Sequence, residues 1–285
     1  LMAAKKLMAD NDQQPFFRLQ TLYKTEEGEN NIRMPVIIAS PEGTVYAFAD
    51  GCSLLRKSSD KGKTWSPAKE IVPGEKLRGN AILNENTGEL LILSPSVAQP
   101  CIYRSTDKGE TWKKENVTVK PNVMNHGTYD NSPIDIISME PGITLKYGGH
   151  KGRLIIAGRI QPPHGDNAQE YWMYNYNTSV YSDDNGKTWQ VSDAIMTGTG
   201  EGAVAELSDG RVYYNSRSHM SVDHKRRIAW SFDGGNRYVD WSVSDELYEI
   251  GEPFYFKYGS KPSYGCKAGL VRMPAGINNA GDVLL

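Results

Sequence analysis

The octapeptide Ser182-Asp183-Asp184-Asn185-Gly186-Lys187-Thr188-Trp189 is one of several copies of a single frame, Ser-x-Asp-x-Gly-x-Thr-Trp. The same frame stands at Ser58 to Trp65 and at Ser105 to Trp112, and a worn copy, Ser231-x-Asp233-x-Gly235, follows it. Ser and Asp side chains can bond nearby backbone amides, and Gly takes the positive φ of a tight turn. Thr then re-enters a strand and Trp brings a large ring to bury between units. The copies start at 58, 105, 182 and 231, so the intervals are 47, 77 and 49 residues. Periods of about 40 to 50 residues built from four strands are those of propeller blades. The longer interval reads as a blade carrying an insertion.

Working outward, each unit has the same order: an apolar strand, a tight turn, a second strand, a connection, and a third strand running into the Asp-rich element. The first unit places strands at 35–39, 44–49 and 53–57 around the turn Pro41-Glu42-Gly43, and the fourth places them at 203–207, 211–216 and 227–230 around Ser208-Asp209-Gly210. Between them lie strands at 81–83, 89–93, 153–157 and 178–181, and a fifth unit begins at 268–272 with a second strand at 282–285. Residues 122–141 and 161–177 read as long loops, and helical periodicity is confined to a short stretch near 1–10. The expectation is one all-β domain over 1–285, with the first 25 or so residues as a lead-in.

Bulk composition narrows the classes. In 285 residues, 39% hydrophobic with 10% aromatic supports a substantial core, and a net charge of −2 leaves no footprint for nucleic acid. No apolar run approaches the roughly 20 residues of a membrane helix, and no signal-peptide core follows Leu1. Cys52, Cys101 and Cys266 lack metal-ligand spacing and read as buried or free thiols. Two sequons, Asn116-Val117-Thr118 and Asn177-Thr178-Ser179, are present.

The frame resembles the Asp-box of the sialidase (neuraminidase) family of six-bladed β-propellers. Two further runs are similar to that family: Ile32-Arg33-Met34-Pro35 before an apolar strand, and Gly200-Glu201-Gly202 through Gly210 ending in Asn215-Ser216-Arg217. Pro141-Gly142-Ile143 and Gly152-Arg153-Leu154 are also family-like, and the similarity runs from about Arg33 to Leu285. The resemblance implies an exo-α-sialidase that removes terminal sialic acids from glycoproteins, glycolipids or oligosaccharides. It implies a retaining mechanism with a Tyr nucleophile. Arg33 and Arg217 would be two of three arginines that clamp the substrate carboxylate, since guanidinium groups recognise carboxylates bidentately and stay charged. Glu201 would be the base for the tyrosine. Neither a metal nor an organic cofactor is required by this chemistry.

Other residues read as structural. Glu206 lies five positions beyond Glu201 and faces the other side of a strand. Tyr171, Tyr174, Tyr176, Tyr213 and Tyr214 read as packing residues, and the Asp-box tryptophans as core. The chain departs from the family in its first blade, where Ala49-Asp50-Gly51-Cys52 passes almost directly into the third strand. An Arg and a catalytic Asp usually occupy a loop there. Cys52 falls about where that Arg would be, and Asp50 is the acid nearby, so Asp50 is the candidate general acid. The family's third Arg and its Tyr fall after Leu285 and are assigned to no residue here, and the sixth blade is expected to be incomplete. A catalytically inactive Asp-box propeller that binds glycans or a protein is the other class these departures allow.

Overall fold

The computed structural model describes residues 18–25, 31–95, 99–122, 134–161, 173–219, 223–249, 254–255, 262–263, 265–273 and 282–284. The first blade is an antiparallel sheet of β1 (Val36–Ala39), β2 (Val45–Ala49), β3 (Leu54–Ser58) and β4 (Lys69–Glu70). The second holds β5 (Asn80–Asn84), β6 (Glu89–Ser94), β7 (Cys101–Ser105) and β8 (Lys113–Asn116) in the same order. After β9 (Thr118–Lys120) comes the third blade: β10 (Ile134–Asp135), β11 (Ile143–Thr144), β12 (Leu154–Ile160), β13 (Tyr176–Ser182) and β14 (Thr188–Val191). The fourth is β15 (Gly202–Glu206), β16 (Val212–Ser216), β17 (Lys225–Ser231) and β18 (Val239–Tyr248). Two further hairpins follow, β19 (Phe254–Tyr255) with β20 (Pro262–Ser263), and β21 (Arg272–Met273) with β22 (Val283–Leu284). The last hairpin is the start of the fifth unit. No helix among the described residues is long and apolar enough to cross a membrane.

The first strand of every blade lies innermost. Residues 37–39 of β1, Leu83 of β5, Ile143 and Thr144 of β11, Val204 to Glu206 of β15 and 269–272 before β21 together line a central channel of about 740 Å3. The order of strands within each sheet then steps outward, ending in short polar strands such as β4 and β8 whose side chains are exposed. This is the arrangement of propeller blades around an axis, with four blades complete in the described residues.

The 77-residue interval differs from its reading as a loop-bearing insertion. Residues 122–141 contain β10, and Ile134, Ile136 and Met139 are buried there in the core. The innermost strand of the third blade is split: β10 pairs with Arg159 and Ile160 of β12, and β11 pairs with Leu154 and Ile155. The segment β9 adds in parallel to β14, so the third blade gains an extra outer strand. The expected helix at 1–10 and most of the 161–177 loop lie outside the described residues. Residues 18–25 fasten to the first blade, where Gln20 accepts from Trp65 Nε1 at 3.0 Å and Tyr23 OH donates to Ala47 O at 2.7 Å.

The four Asp-boxes are superposable in their bonding. Each Ser Oγ donates to its Asp Oδ1 at 2.7–2.8 Å and accepts from the Gly amide at 2.8–2.9 Å. The residue before the Gly and the Gly itself both take positive φ, for example Lys108 at 59° and Gly109 at 83°. The worn copy has Gly234 at the first of these positions, which relieves the left-handed strain its siblings bear. Of the three Asp-box tryptophans, Trp189 alone is fully core, its Nε1 donating to Gly186 O at 3.1 Å. Trp65 and Trp112 are half-buried, because the first two blades seat them near the outer rim; Trp112 meets Phe48 edge-on at 6.3 Å.

Candidate active site

The rim of the channel is built where first strands begin and second strands end. At the head of the fourth blade, the β15–β16 pairing of Gly202 with Ser216 extends by one step, Arg217 N donating to Glu201 O at 2.8 Å. Gly200 N then donates to Arg217 O at 3.0 Å. This register sets the two side chains against each other, and Arg217 Nη1 lies 2.8 Å from Glu201 Oε2 with side chains only 6% and 14% exposed. His219 Nε2 stands 3.8 Å from the same oxygen. Gly200 makes room for that imidazole, since a Cβ there would come within 3.1 Å of the ring. The loop is held from the third blade by Asn177 Nδ2, which donates to Gly200 O at 2.9 Å.

Burial, the largest single influence, would raise the Glu201 carboxyl, but Arg217, His219 and Arg159 together outweigh it and bring the group down to about 2. Glu201 is therefore a carboxylate at neutral pH. His219 is pushed down to about 3, first by burial and then by Arg217, so it is neutral beside that carboxylate. The contact between them is not an ion pair at pH 7.

A second Arg–carboxylate couple stands in the third blade, and an Arg and an Asp meet through the backbone in the first. In the third blade Arg159 binds Asp135 Oδ2 through Nε at 3.1 Å and Nη2 at 2.8 Å, across the β10–β12 register, and its charge reaches Glu201 and His219. In the first blade Asp50 N donates to Arg33 O at 2.6 Å, so the backbone puts Arg33 and Asp50 side by side. Their side chains do not join: Arg33 is exposed, and the Asp50 carboxylate meets Lys76 Nζ at 3.2 Å. Arg33 touches neither Glu201 nor Arg217. Its blade is nevertheless tied to theirs, because Lys267 Nζ donates to Pro35 O at 2.8 Å and lies 3.0 Å from Glu140 Oε1, while Glu140 N donates to Gly202 O at 3.1 Å.

Residue by residue, the fold brings the Glu201 and Arg217 side chains into contact and links Arg33 to Asp50 through the backbone of the first blade. Arg159, Asp135 and His219 escape sequence reading, although Arg159 and Asp135 carry a positional signal, facing each other across the first and second strands of their blade. Glu206 is structural, its carboxylate accepting from Lys146 N at 2.6 Å and Tyr147 N at 3.0 Å. Tyr213 and Tyr214 pack, the first on Trp230 at 4.8 Å and the second with its OH on Gly158 O at 3.0 Å; Tyr176 is core, Tyr174 is half exposed, and Tyr171 lies outside the described residues. Cys52 is buried under the first-blade turn with its thiol pushed up to about 12 by burial, Cys101 is buried and Cys266 exposed, all three unbridged. The sequon Asn177 is buried in β13, whereas Asn116 is exposed. No cluster of three potential metal ligands exists among the described residues.

Such an array defines an Asp-box β-propeller with a cationic, carboxylate-bearing mouth. Residues 55–247 match the family described as BNR repeat-like domain, and the chain belongs to the BNR-repeat sialidase family. It is 28% identical over 265 residues to a sialidase of Micromonospora viridifaciens, covering 78% of this chain and 38% of that protein. It is 22% identical over 285 residues to a sialidase of Paraclostridium sordellii, covering 85% of this chain and 63% of that protein. Among solved structures, the Hadza microbial sialidase Hz136 superposes with a TM-score of 0.63 at 19% identity, over 89% of this chain and 52% of the other. The chain thus spans less than two thirds of the length of either curated relative.

Proposed function

We propose that residues 1–285 form one sialidase-like domain of an exo-α-sialidase, part of a six-bladed propeller acting on terminal sialic acids of glycoproteins, glycolipids or oligosaccharides. The observation that supports it most is the buried Glu201–Arg217 pair at the head of the fourth blade. A sialic acid bears a carboxylate beside its anomeric carbon, and Arg217 and Arg33 would take that carboxylate from two sides. Arg217 is paired with Glu201. Substrate binding would draw the guanidinium toward the new anion, remove part of the charge that holds Glu201 near 2, and so raise its basicity.

The reading then runs as a retaining displacement. A tyrosine hydroxyl, assigned to no residue of this sequence, attacks the anomeric carbon and passes its proton to Glu201. The glycosidic oxygen leaves with a proton from an acid at or near Asp50. Water then cleaves the tyrosyl glycoside with the acid acting in reverse, and Glu201 returns the proton to the phenolate. A neutral nucleophile suits a site that binds an anion, because a carboxylate there would be repelled by the substrate.

Release of 4-methylumbelliferone from its sialoside tests this. Glu201→Gln is expected to lower kcat about 100- to 10,000-fold, and Arg217→Ala to raise KM steeply. Activity indifferent to both changes would remove the assignment. One observation favours a second reading, a glycan-binding propeller without catalysis: Asp50 sits in a left-handed turn at φ 53°, held by Lys76, with buried Cys52 close behind and no loop to carry a mobile acid. Protein that binds a sialoside and leaves it uncut would select that reading.

A further inference from the structure

Behind Arg217 lies a second ion pair that the proposed chemistry does not use. Glu249, just after β18, and Arg226, in β17, have side chains 2% and 7% exposed, with Arg226 Nη1 3.2 Å from Glu249 Oε2. The other carboxylate oxygen, Oε1, accepts from Ser218 N at 2.9 Å. Ser218 is the residue between Arg217 and His219. Arg226 is itself held on three sides: its Nε donates to Asn215 Oδ1, its Nη1 donates to Cys266 O at 3.1 Å, and Asn215 is steadied by its Nδ2 bond to Tyr213 OH at 3.1 Å. At Gly265 a Cβ would fall 2.1 Å from Glu249 Oε2, so the segment 265–267 closes directly over the carboxylate.

A buried ion pair of this kind contributes little to stability compared with apolar side chains of the same size. What it does here is supply an acceptor for the Ser218 amide, one of the backbone groups that fix the exit of β16. That exit carries Arg217, which is pinned on its other side by the backbone of Glu201. From Cys266 the chain passes to Lys267, whose Nζ bonds Pro35 O, two residues from Arg33.

We infer that Glu249, braced by Arg226, is a positioning residue for Arg217, and that the 265–267 segment bonded to Arg226 sets the separation of Arg217 from Arg33, hence the fit of the mouth to an anionic sugar. This rests on the sialidase reading for its ligand, though not for its geometry. Two variants of the full chain test it. Arg226→Met with Glu249→Leu removes both charges and the Ser218 acceptor while keeping volume; Glu249→Gln keeps an oxygen in place to accept from Ser218.

In the double variant the Ser218 amide is expected to exchange hydrogen at least about 10-fold faster than in the parent protein, with Tm little changed. KM for 4-methylumbelliferyl sialoside should rise roughly 10-fold or more against a smaller change in kcat, since a misplacement of about 1 Å costs that much. Glu249→Gln should restore most of the Ser218 protection and most of the KM. Should the double variant fail to fold, Glu249→Gln and Glu249→Ala carry the same comparison, the first protected and the second exposed at Ser218. Exchange at Ser218 equal to the parent in variants lacking the acceptor overturns the inference. A parent protein that cleaves no sialoside overturns the sialidase reading instead, and the exchange measurement still decides the positioning role.

Discussion

His219 and Glu201 occupy one buried hollow and make separable demands on protons. The imidazole, held near 3 in the fold by burial and then by Arg217, titrates near 6.5 when the chain is unfolded. As pH falls below about 6.5 the unfolded chain takes up a proton that the fold refuses, and stability drops by about 1.4 kcal/mol per pH unit from this group. Glu201 acts lower down. Its folded value near 2 against 4.5 unfolded contributes stability that is whole above about 4.5 and is lost as pH falls toward 2. His219→Gln is therefore expected to flatten Tm between pH 6.5 and 4.5 while leaving the steeper loss below it. A variant whose curve runs parallel to the parent's over that upper range would mean that the imidazole is protonated in place. Arg33 is exposed; in the carboxylate-binding role proposed for it, Arg33→Ala should raise KM for a sialoside at least about 10-fold with Tm unchanged, the loss of one charge-assisted contact being worth about 1.5 to 3 kcal/mol.

At the scale of the element, the Asp-box is a turn whose donors and acceptors are paired internally. Ser105 is buried, and its Oγ is the acceptor for the buried Gly109 amide. Ser105→Ala leaves that amide without a partner and should cost about 1 to 3 kcal/mol in urea unfolding, whereas Lys108→Gly, copying the worn fourth box, should cost far less. These turns and the strands beside them were legible in sequence because each carries its own signal: β2, β6 and β16 are apolar runs that begin just after the Gly-bearing turns at Gly43, Gly88 and Gly210. The outer strands were not. Lys69–Glu70 and Lys113–Asn116 are polar and exposed, so no alternation marks them, and β9 joins β14 through backbone bonds that impose no side-chain pattern. Ile134–Asp135 is two residues long, too short for any periodicity, and is revealed only by the burial of Ile134 and Ile136. At the site the contrast is similar. Glu201 and Arg217 sit at the two ends of one hairpin and could be found together, while Glu249 and Arg226 meet Ser218 through folding of distant segments around a single amide.

Across the whole molecule, the second blade joins two cores. Leu90 and Ile92 of β6 face the cluster shared with the first blade, and Leu91 and Leu93 face the cluster shared with the third and fourth. A strand buried on both faces couples its neighbours, so Leu91→Ala is expected to cost about 2 to 5 kcal/mol. It should lower the urea midpoint of every blade as one transition, followed by Trp fluorescence from Trp112 and Trp189. A variant that loosens only the side around Trp189 would show that the blades unfold separately. The bond from Lys267 to Pro35 crosses 232 positions of sequence. During synthesis on the ribosome, both arginines of the mouth emerge well before the lysine that spans from one blade to the other. A nascent chain can close its early hairpins as they appear, yet the tie that ropes Pro35 to the far side of the fold forms only once Lys267 has emerged.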